Sequence, residues 1–127
     1  MRLLLDTHAL LWWLLDDAEL PPSARKAIER ADAVLVSAAS IWEVAIKQRL
    51  GKLPELAIGA AELPALIRES GFLPLPIDLR HAAAVAALPL HHRDPFDHLL
   101  IAQARIEDLA LVSRDPAFGA YGVTLRW

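Results

Sequence analysis

The most informative stretch of this sequence is Arg2-Leu3-Leu4-Leu5-Asp6-Thr7-His8. Its three consecutive leucines are typical of a strand that is covered on both faces, as in the middle of a parallel sheet. Asp6 follows where the apolar run stops, and an apolar helical stretch comes after it. Because open α/β sheets bind ligands at the carboxyl ends of their strands, Asp6 lies where a functional carboxylate is expected.

Short extended segments alternate with helical patterns along the rest of the chain. Further strands are predicted at residues 33–36, 72–77, 109–112 and 123–125, and the two prolines in 72–77 suit only an edge strand. Helices are predicted at about residues 7–15, 23–31, 38–50, 59–70, 79–87 and 95–107. This alternation predicts one domain over residues 1–127, a three-layer α/β/α sandwich with a central, mostly parallel sheet.

Composition excludes several classes of protein. The chain has no cysteine, which excludes disulfides and zinc sites that use sulfur. No segment reaches the roughly 20 apolar residues of a membrane span, and Asp6 and His8 interrupt the N-terminal stretch that could resemble a signal peptide. We therefore expect a cytoplasmic protein. The net charge of -3 does not suggest a protein that binds polyanions. Acids gathered in a metal site would account for this negative charge, so the charge is compatible with a nucleic-acid substrate.

Four acids on separate segments could meet at one edge of the sheet. Asp6 and Asp115 each follow an apolar strand, Glu43 lies about two turns into the helix after the second strand, and Asp97 lies in the first turn of a later helix. Parallel strands and the helices that follow them share one edge, so these carboxylates are expected within coordination distance of a common cation. Hard oxygen ligands without sulfur favour Mg²⁺ or Mn²⁺.

Each acid also has a purely structural interpretation. Asp6 could cap the helix that follows it. Glu43 has Lys47 four residues later, the favoured spacing for a helix-surface ion pair. Capping or turn roles are open to three further acids: Asp94, Asp97 and Asp115. The joint pattern of the four acids, rather than any one of them, favours catalysis.

Other polar and aromatic residues carry weaker signals. The histidines show no zinc-binding spacing, and His91 and His92 fit a solvated loop better than a phosphate contact or a proton shuttle. Three tryptophans lie on helical segments beside leucine and isoleucine, which favours core or partner packing over base stacking: Trp12, Trp13 and Trp42. The five glycines are scattered and form no phosphate-binding loop.

Five segments together resemble a known family. They are Leu4-Leu5-Asp6-Thr7-His8, Ser37-Ala38-Ala39-Ser40-Ile41-Trp42-Glu43-Val44-Ala45-Ile46-Lys47, Gly51-Lys52-Leu53, Asp94-Pro95-Phe96-Asp97-His98-Leu99-Leu100-Ile101-Ala102-Gln103-Ala104 and Val112-Ser113-Arg114-Asp115. Their order and spacing resemble those of PIN-domain ribonucleases, specifically the VapC-type toxins of bacterial toxin–antitoxin pairs. The resemblance runs from the first predicted strand to the last.

The resemblance implies a metal-dependent endoribonuclease that uses Mg²⁺ or Mn²⁺ and leaves a 5′-phosphate and a 3′-hydroxyl. It places the acidic quartet on Asp6, Glu43, Asp97 and Asp115. It also implies supporting roles for the hydroxyls of Thr7 and Ser113, whereas Asp94 belongs to the motif but fits an N-cap better than a metal ligand. The partners it implies are an RNA substrate (tRNA, rRNA or mRNA), a small cognate antitoxin and a second copy in a homodimer.

Two other classes of protein remain as alternatives. A receiver-like phosphoacceptor domain also clusters acids at strand ends, but it needs adjacent acids near the first strand and a lysine after the last. Asp6 has no acidic neighbour, and Arg114-Asp115 supplies no lysine. A noncatalytic RNA- or protein-binding module with a PIN-like fold would be expected to lack at least one of the four acids, and none is missing.

Overall fold

The computed structural model describes residues 1–91 and 94–127. Its centre is a five-stranded sheet in the order β3-β2-β1-β4-β5, in which every neighbouring pair is parallel. Helices pack on both faces of this sheet. The expected three-layer α/β/α sandwich is confirmed, and its sheet is entirely parallel rather than mostly so.

The strands are short and the helices are of moderate length. The strands are β1 (Arg2–Leu5), β2 (Ala33–Ser37), β3 (Leu73–Leu75), β4 (Ala110–Val112) and β5 (Leu125–Arg126). The helices are α1 (Thr7–Leu14), α2 (Pro22–Arg30), α3 (Ala38–Arg49), α4 (Leu63–Glu69), α5 (Leu79–Ala84) and α6 (Pro95–Ile106). The described residues also form 3₁₀ segments at Ala60–Glu62, Val85–Ala87 and Pro116–Tyr121.

The leucines of β1 contact two separate hydrophobic cores. Leu3 and Leu5 belong to the core beneath α1, α2 and α4, whereas Leu4 belongs to the core beneath α6. Successive side chains of a strand point to opposite faces, so an unbroken leucine run fills both cores at once. All three leucines are at most 1% exposed, which is the environment that the sequence predicts for a central strand.

Helix boundaries follow the local capping residues, with some differences from expectation. Ser37 caps α3 by accepting a hydrogen bond from the Ala39 N–H at 3.0 Å. Ser40, which with Glu43 also fits a capping spacing, instead lies inside α3 with its hydroxyl buried. The segments predicted as single helices at 59–70 and 79–87 are each divided between a 3₁₀ turn and a shorter α-helix. In the segment 59–70, the apolar pattern is weak and a proline comes early. Both features favour a short 3₁₀ turn before the α-helix.

Two remaining expectations concern the loop before α6 and membrane insertion. His91 is exposed, in agreement with a solvated loop, whereas the expectation for His92 lies outside the described residues. Within residues 1–91 and 94–127, none of the helices combines the length and apolar character that crossing a bilayer requires.

Candidate metal centre

The strand order reverses between β1 and β4, which is where open α/β sheets form a binding crevice. Leu5 of β1 is level with Val36 of β2 and Val112 of β4, so these three strands end at the same edge. The Asp6 N–H still donates to the Val112 carbonyl at 3.0 Å. The first acid of the predicted quartet therefore lies directly at the point of reversal.

Asp6 is held by hydrogen bonds from two neighbouring segments. Its Oδ1 accepts from the Ala9 N–H at 2.8 Å and so caps α1, and the Ser113 hydroxyl donates to the same carboxylate. The side chain is buried, and this burial raises the pKa of the Asp6 carboxyl despite the two hydrogen bonds. The nearby charge of Glu43 raises the pKa further. Capping and a functional role are thus compatible at this residue.

Glu43 points from α3 toward the start of α1. Its Oε1 accepts a hydrogen bond from the Thr7 hydroxyl at 2.7 Å, and Thr7 Oγ1 also lies 3.0 Å from the Ser40 hydroxyl oxygen. All three side chains are buried. Thr7 therefore orients one oxygen of Glu43.

The second Glu43 oxygen is neutralised by a lysine. Lys47 Nζ lies 2.6 Å from Glu43 Oε2, so the expected ion pair is present. It is not a simple surface pair, because the Glu43 side chain is 5% exposed and that of Lys47 is 36% exposed. The hydrogen bond to Glu43 raises the pKa of the Lys47 ammonium, with smaller contributions from the charges of Asp94 and Asp97. Lys47 thus places a positive charge near three acids, Glu43, Asp94 and Asp97.

The Asp97 carboxyl is strongly perturbed. Burial raises its pKa to about 7, and the charges of four other acids contribute in the same direction. Those acids are, from the largest contribution, Asp94, Glu43, Asp6 and Asp115. Three members of the predicted quartet thus act electrostatically on the fourth, although they come from separate segments of the chain.

Asp94 has the structural role that the sequence favours for it. Its Oδ1 accepts from the Phe96 N–H at 2.9 Å and from the Asp97 N–H at 3.1 Å, which caps α6. Pro95 occupies the first helical position, where no N–H is needed. Asp94 fixes the start of the helix that carries Asp97.

Asp115 is exposed and belongs to the loop after β4. Its Oδ1 accepts from the Ala117 N–H at 2.9 Å and caps the 3₁₀ segment Pro116–Tyr121. The Ser113 oxygen accepts from the Asp115 N–H at 3.1 Å, while its hydroxyl donates to Asp6. The Ser113 hydroxyl therefore joins the first and last acids of the quartet.

The four carboxylates interact electrostatically, but in the described residues they do not lie within coordination distance of a common cation, contrary to what the sequence predicts. Within the described part of the chain, one set of three potential ligand side chains has its ligand atoms within 4.8 Å of one another, and it is Asp78, His81 and Glu107. The quartet is spaced more widely than this. Repulsion between like charges favours the wider spacing. Asp6, Glu43 and Asp115 also accept hydrogen bonds from separate partners.

The cluster of Asp78, His81 and Glu107 behaves as a structural link between α5 and α6. His81 Nδ1 accepts from the Asp78 N–H at 3.1 Å, which leaves Nε2 to donate to Glu107 Oε1 at 3.0 Å. Arg80 Nη2 lies within 3.0 Å of Glu107 and 2.8 Å of Asp78. The ring nitrogens and both carboxylates are therefore engaged, which does not favour a metal ion there.

The donor set of the quartet fits a hard divalent cation. Its ligands are carboxylate oxygens only, and burial raises the pKa of two of the carboxyls, Asp6 and Asp97. A divalent cation would favour the ionised form of both. Lys47 was not predicted to belong to this site, although its four-residue spacing from Glu43 is the signal that could have indicated it.

Known proteins resemble this chain, some over most of its length and one over a shorter part. A family model described as PIN domain matches residues 3–123. Ribonuclease VapC22 of Mycobacterium tuberculosis is 33% identical over 117 residues, which cover 88% of this chain and 85% of that protein. Ribonuclease VapC16 of the same organism is 46% identical over 52 residues, but the match spans only 37% of its length.

Solved structures share the fold at low sequence identity. One is the crystal structure of VapBC2 from Rickettsia felis bound to a DNA fragment from its promoter. It matches with a TM-score of 0.71 and 15% identity, covering 98% of this chain and 97% of the matched one. At this identity the likeness concerns the arrangement of strands and helices.

Proposed function

This chain belongs to the PIN-domain family, and from that premise we propose that it is a metal-dependent endoribonuclease that acts as the toxin of a VapBC-type toxin–antitoxin pair. The full-length relative VapC22 is named a ribonuclease, which supports this activity. The observation that carries the proposal is the environment of Asp97, whose pKa is raised to about 7 by burial and by acids from four other positions. A site that concentrates negative charge in this way is suited to a divalent cation.

In the proposed site, Asp6, Glu43 and Asp97 would hold the principal Mg²⁺ or Mn²⁺ ion, and Asp115 would hold a second ion or orient the attacking water. Such a cation would neutralise charge at the phosphodiester and lower the pKa of the attacking water. Cleavage leaves a 5′-phosphate and a 3′-hydroxyl. We treat residues 1–127 as one catalytic domain.

The remaining side chains of the site keep the ligands in position. Thr7 fixes one oxygen of Glu43 through its 2.7 Å hydrogen bond. Ser113 connects Asp6 to the backbone of Asp115. These contacts determine the orientation of the carboxylates before substrate binds, which lowers the cost of assembling the site.

The direct test is cleavage of purified RNA with defined metal. We expect cleavage of a mixture of tRNA, rRNA and mRNA in Mg²⁺ or Mn²⁺, and its loss after chelation and recovery on adding either ion. End-labelling should find a 5′-phosphate on the downstream product. A preparation that binds RNA but leaves it intact under all metal conditions would favour the noncatalytic alternative.

Lys47→Met tests whether the Lys47 ammonium supplies the charge that a cation can replace. Because Glu43 Oε2 loses its 2.6 Å partner, we expect the metal-free variant to be less stable by about 1–2 kcal/mol. Mg²⁺ should then raise the melting temperature of the variant more than that of the parent, as followed by circular dichroism.

The exposed Lys52 provides the matched control for this substitution. Lys52→Met removes the same charge away from these contacts and should change neither the stability nor the response to Mg²⁺. An equal response to Mg²⁺ in Lys47→Met and the parent would contradict the proposal that a cation can replace the charge of the Lys47 ammonium.

The proposed partners are an RNA substrate, a small antitoxin and a second copy of the chain, in the cytoplasm. An antitoxin arginine could neutralise the same acids that a cation neutralises. Of the tryptophans for which core or partner packing is predicted, Trp12 and Trp13 are half-buried against the core, whereas Trp42 is 55% exposed. Sedimentation of the free chain and of its complex with the product of an adjacent short gene tests both interactions.

A further inference from the structure

A buried tyrosine lies between the segments that carry the last two acids of the quartet. Tyr121 ends the 3₁₀ segment Pro116–Tyr121, which Asp115 caps. Asp97 lies in the first turn of α6, one residue before His98. Tyr121 is 4% exposed and belongs to the hydrophobic core beneath α6. One side chain thus packs between the helix of Asp97 and the segment that Asp115 begins.

The Tyr121 hydroxyl contacts both α6 and the chain that leads into it. Its oxygen accepts a hydrogen bond from the His91 N–H at 3.1 Å, ahead of α6. The same oxygen lies 3.5 Å from His98 Nε2, in the first turn of the helix. The His98 N–H donates to the Asp94 carbonyl at 3.1 Å, so His98 belongs to the turn that Asp94 caps. The hydroxyl therefore contacts the turn that carries Asp97.

Ring contacts restrict the position of this hydroxyl. The His91 ring meets the Tyr121 ring nearly edge-on, with centroids 4.9 Å apart and an angle of 81° between the planes. The His98 ring lies 6.1 Å from the Tyr121 ring at 65°. Edge-to-face pairs are favourable when the centroids are about 4.5–7 Å apart. Packing and burial together hold the phenol in a fixed position relative to α6.

The other links within the candidate site do not include Asp97. The Thr7 hydroxyl connects Glu43 to α1, and the Ser113 hydroxyl joins the first and last acids. Tyr121 connects the remaining element, α6, to the segment that follows β4. Ligands from separate segments can share a cation only if those segments keep their spacing, so such a link bears directly on metal binding.

We propose that Tyr121 is a positioning residue that limits the separation of Asp97 and Asp115 and thereby sets the affinity of the site for a divalent cation. The two acids repel each other, and the Tyr121 contacts hold their segments together against this repulsion. The hydroxyl acts through the first turn of α6 and does not touch the cation or the RNA. This inference rests on the proposed ribonuclease function and assigns a further residue to its site.

The test measures binding of Mn²⁺ alone by calorimetry, without RNA. Tyr121→Phe removes the hydroxyl and keeps the ring in the core. Partners that bond directly to metal ligands change affinity or activity about 10–100-fold when they are removed. Because Tyr121 acts one step further away, we expect Tyr121→Phe to weaken Mn²⁺ binding about fivefold. Cleavage at limiting Mn²⁺ should slow by a similar factor, and saturating Mn²⁺ should restore it to within about twofold of the parent.

Ser70→Ala is the matched control for the loss of one hydroxyl. The Ser70 hydroxyl donates to the Leu66 carbonyl at 2.9 Å at the end of α4, an element that carries none of the four acids. This substitution also removes a hydrogen bond to the backbone, and it should change Mn²⁺ binding by less than about twofold. A purely structural Tyr121 would lower the melting temperature of Tyr121→Phe while leaving its Mn²⁺ binding equal to that of Ser70→Ala, and this result would contradict the proposal.

His98 gives a second way to remove the same contact. His98→Leu removes the Nε2 atom that faces the Tyr121 hydroxyl, whereas His98→Gln can keep a polar atom there. We expect His98→Leu to weaken Mn²⁺ binding about threefold and His98→Gln to weaken it less. His98→Leu should also have a smaller effect in Tyr121→Phe than in the parent, because both substitutions remove one contact. Circular dichroism verifies folding, and the His98 variants keep the proposal testable should Tyr121→Phe unfold.

The proposal is overturned if Tyr121→Phe binds Mn²⁺ within about twofold of the parent, or if the parent binds no Mn²⁺. Equal effects of His98→Leu in the parent and in Tyr121→Phe would also contradict it. Parallel cleavage assays separate this inference from the ribonuclease function. A parent that cleaves RNA, with unchanged Mn²⁺ binding and cleavage in Tyr121→Phe, contradicts the positioning role alone. Weaker Mn²⁺ binding by Tyr121→Phe, with a parent that leaves RNA intact, contradicts the activity alone.

Discussion

Asp6→Asn should lower RNA cleavage by about 100-fold or more without unfolding the protein. The substitution removes the charge of a buried carboxylate at the point where the strand order reverses. Asparagine caps helices about as well as aspartate, so the hydrogen bond from the Ala9 N–H can be kept. Since burial raises the pKa of the Asp6 carboxyl, a neutral side chain should leave the metal-free protein equally or more stable.

Cleavage rates in Mg²⁺ and unfolding curves in chelator, measured on the same preparations, test this expectation. Asp108→Asn is the matched control, because Asp108 is an exposed acid that undergoes the same chemical change. The control should cleave RNA at the parental rate. Activity of Asp6→Asn within a few-fold of the parent, at saturating metal, would show that Asp6 is not part of the catalytic site.

Asp97→Asn is expected to make the metal-free protein more stable at pH 8 but not at pH 4. The pKa of Asp97 rises from an ordinary value of 3.8 to about 7, so the folded protein binds this proton more tightly than the unfolded chain. The stability that the group contributes is therefore complete below about pH 4 and is lost as the pH rises through about 7. Asparagine does not titrate and escapes this loss.

The expected size of the effect follows from the same pKa. A rise from 3.8 to about 7 corresponds to about 4 kcal/mol in a fully buried site. Screening by water at this half-buried carboxyl reduces the expected gain at pH 8 to about 1–2 kcal/mol. Urea unfolding of variant and parent between pH 4 and 8 gives the difference directly. If the difference in free energy of unfolding between variant and parent does not grow with pH, ionisation of Asp97 does not destabilise the folded protein.

Local sequence was sufficient to predict most of the elements of this fold. The leucine run of β1 predicts a strand between two cores, and both cores are present. Pro74 restricts its segment to a sheet edge, where β3 lies. The ends of the weaker helices were predicted less accurately. The turn at 60–62 and the end of α5 depend on tertiary contacts more than on local propensity.

Residues for the candidate site could be proposed from the sequence, but the geometry around them could not be predicted. A carboxylate after a strand, or in the first turn of a helix, is a local feature that the sequence displays. The hydrogen bond between Thr7 and Glu43 joins residues 36 positions apart, and the approach of Arg114 to the Trp12 ring joins more distant ones. No periodic pattern encodes such contacts. Trp12 packs against the core as predicted, but its position beside a cavity could not be predicted from the sequence.

By itself, the sequence determined that this protein has a parallel α/β sheet with acids at the ends of its strands, because apolar runs and capping residues act over a few positions. Only the tertiary structure decided that β1 and β4 are neighbours. The chain forms β2 and β3 on one side of β1 before β4 pairs with the other side. It also decided the charge environment of Asp97. Electrostatic interactions depend on distance in space and on burial, and neither quantity can be obtained from positions along the chain.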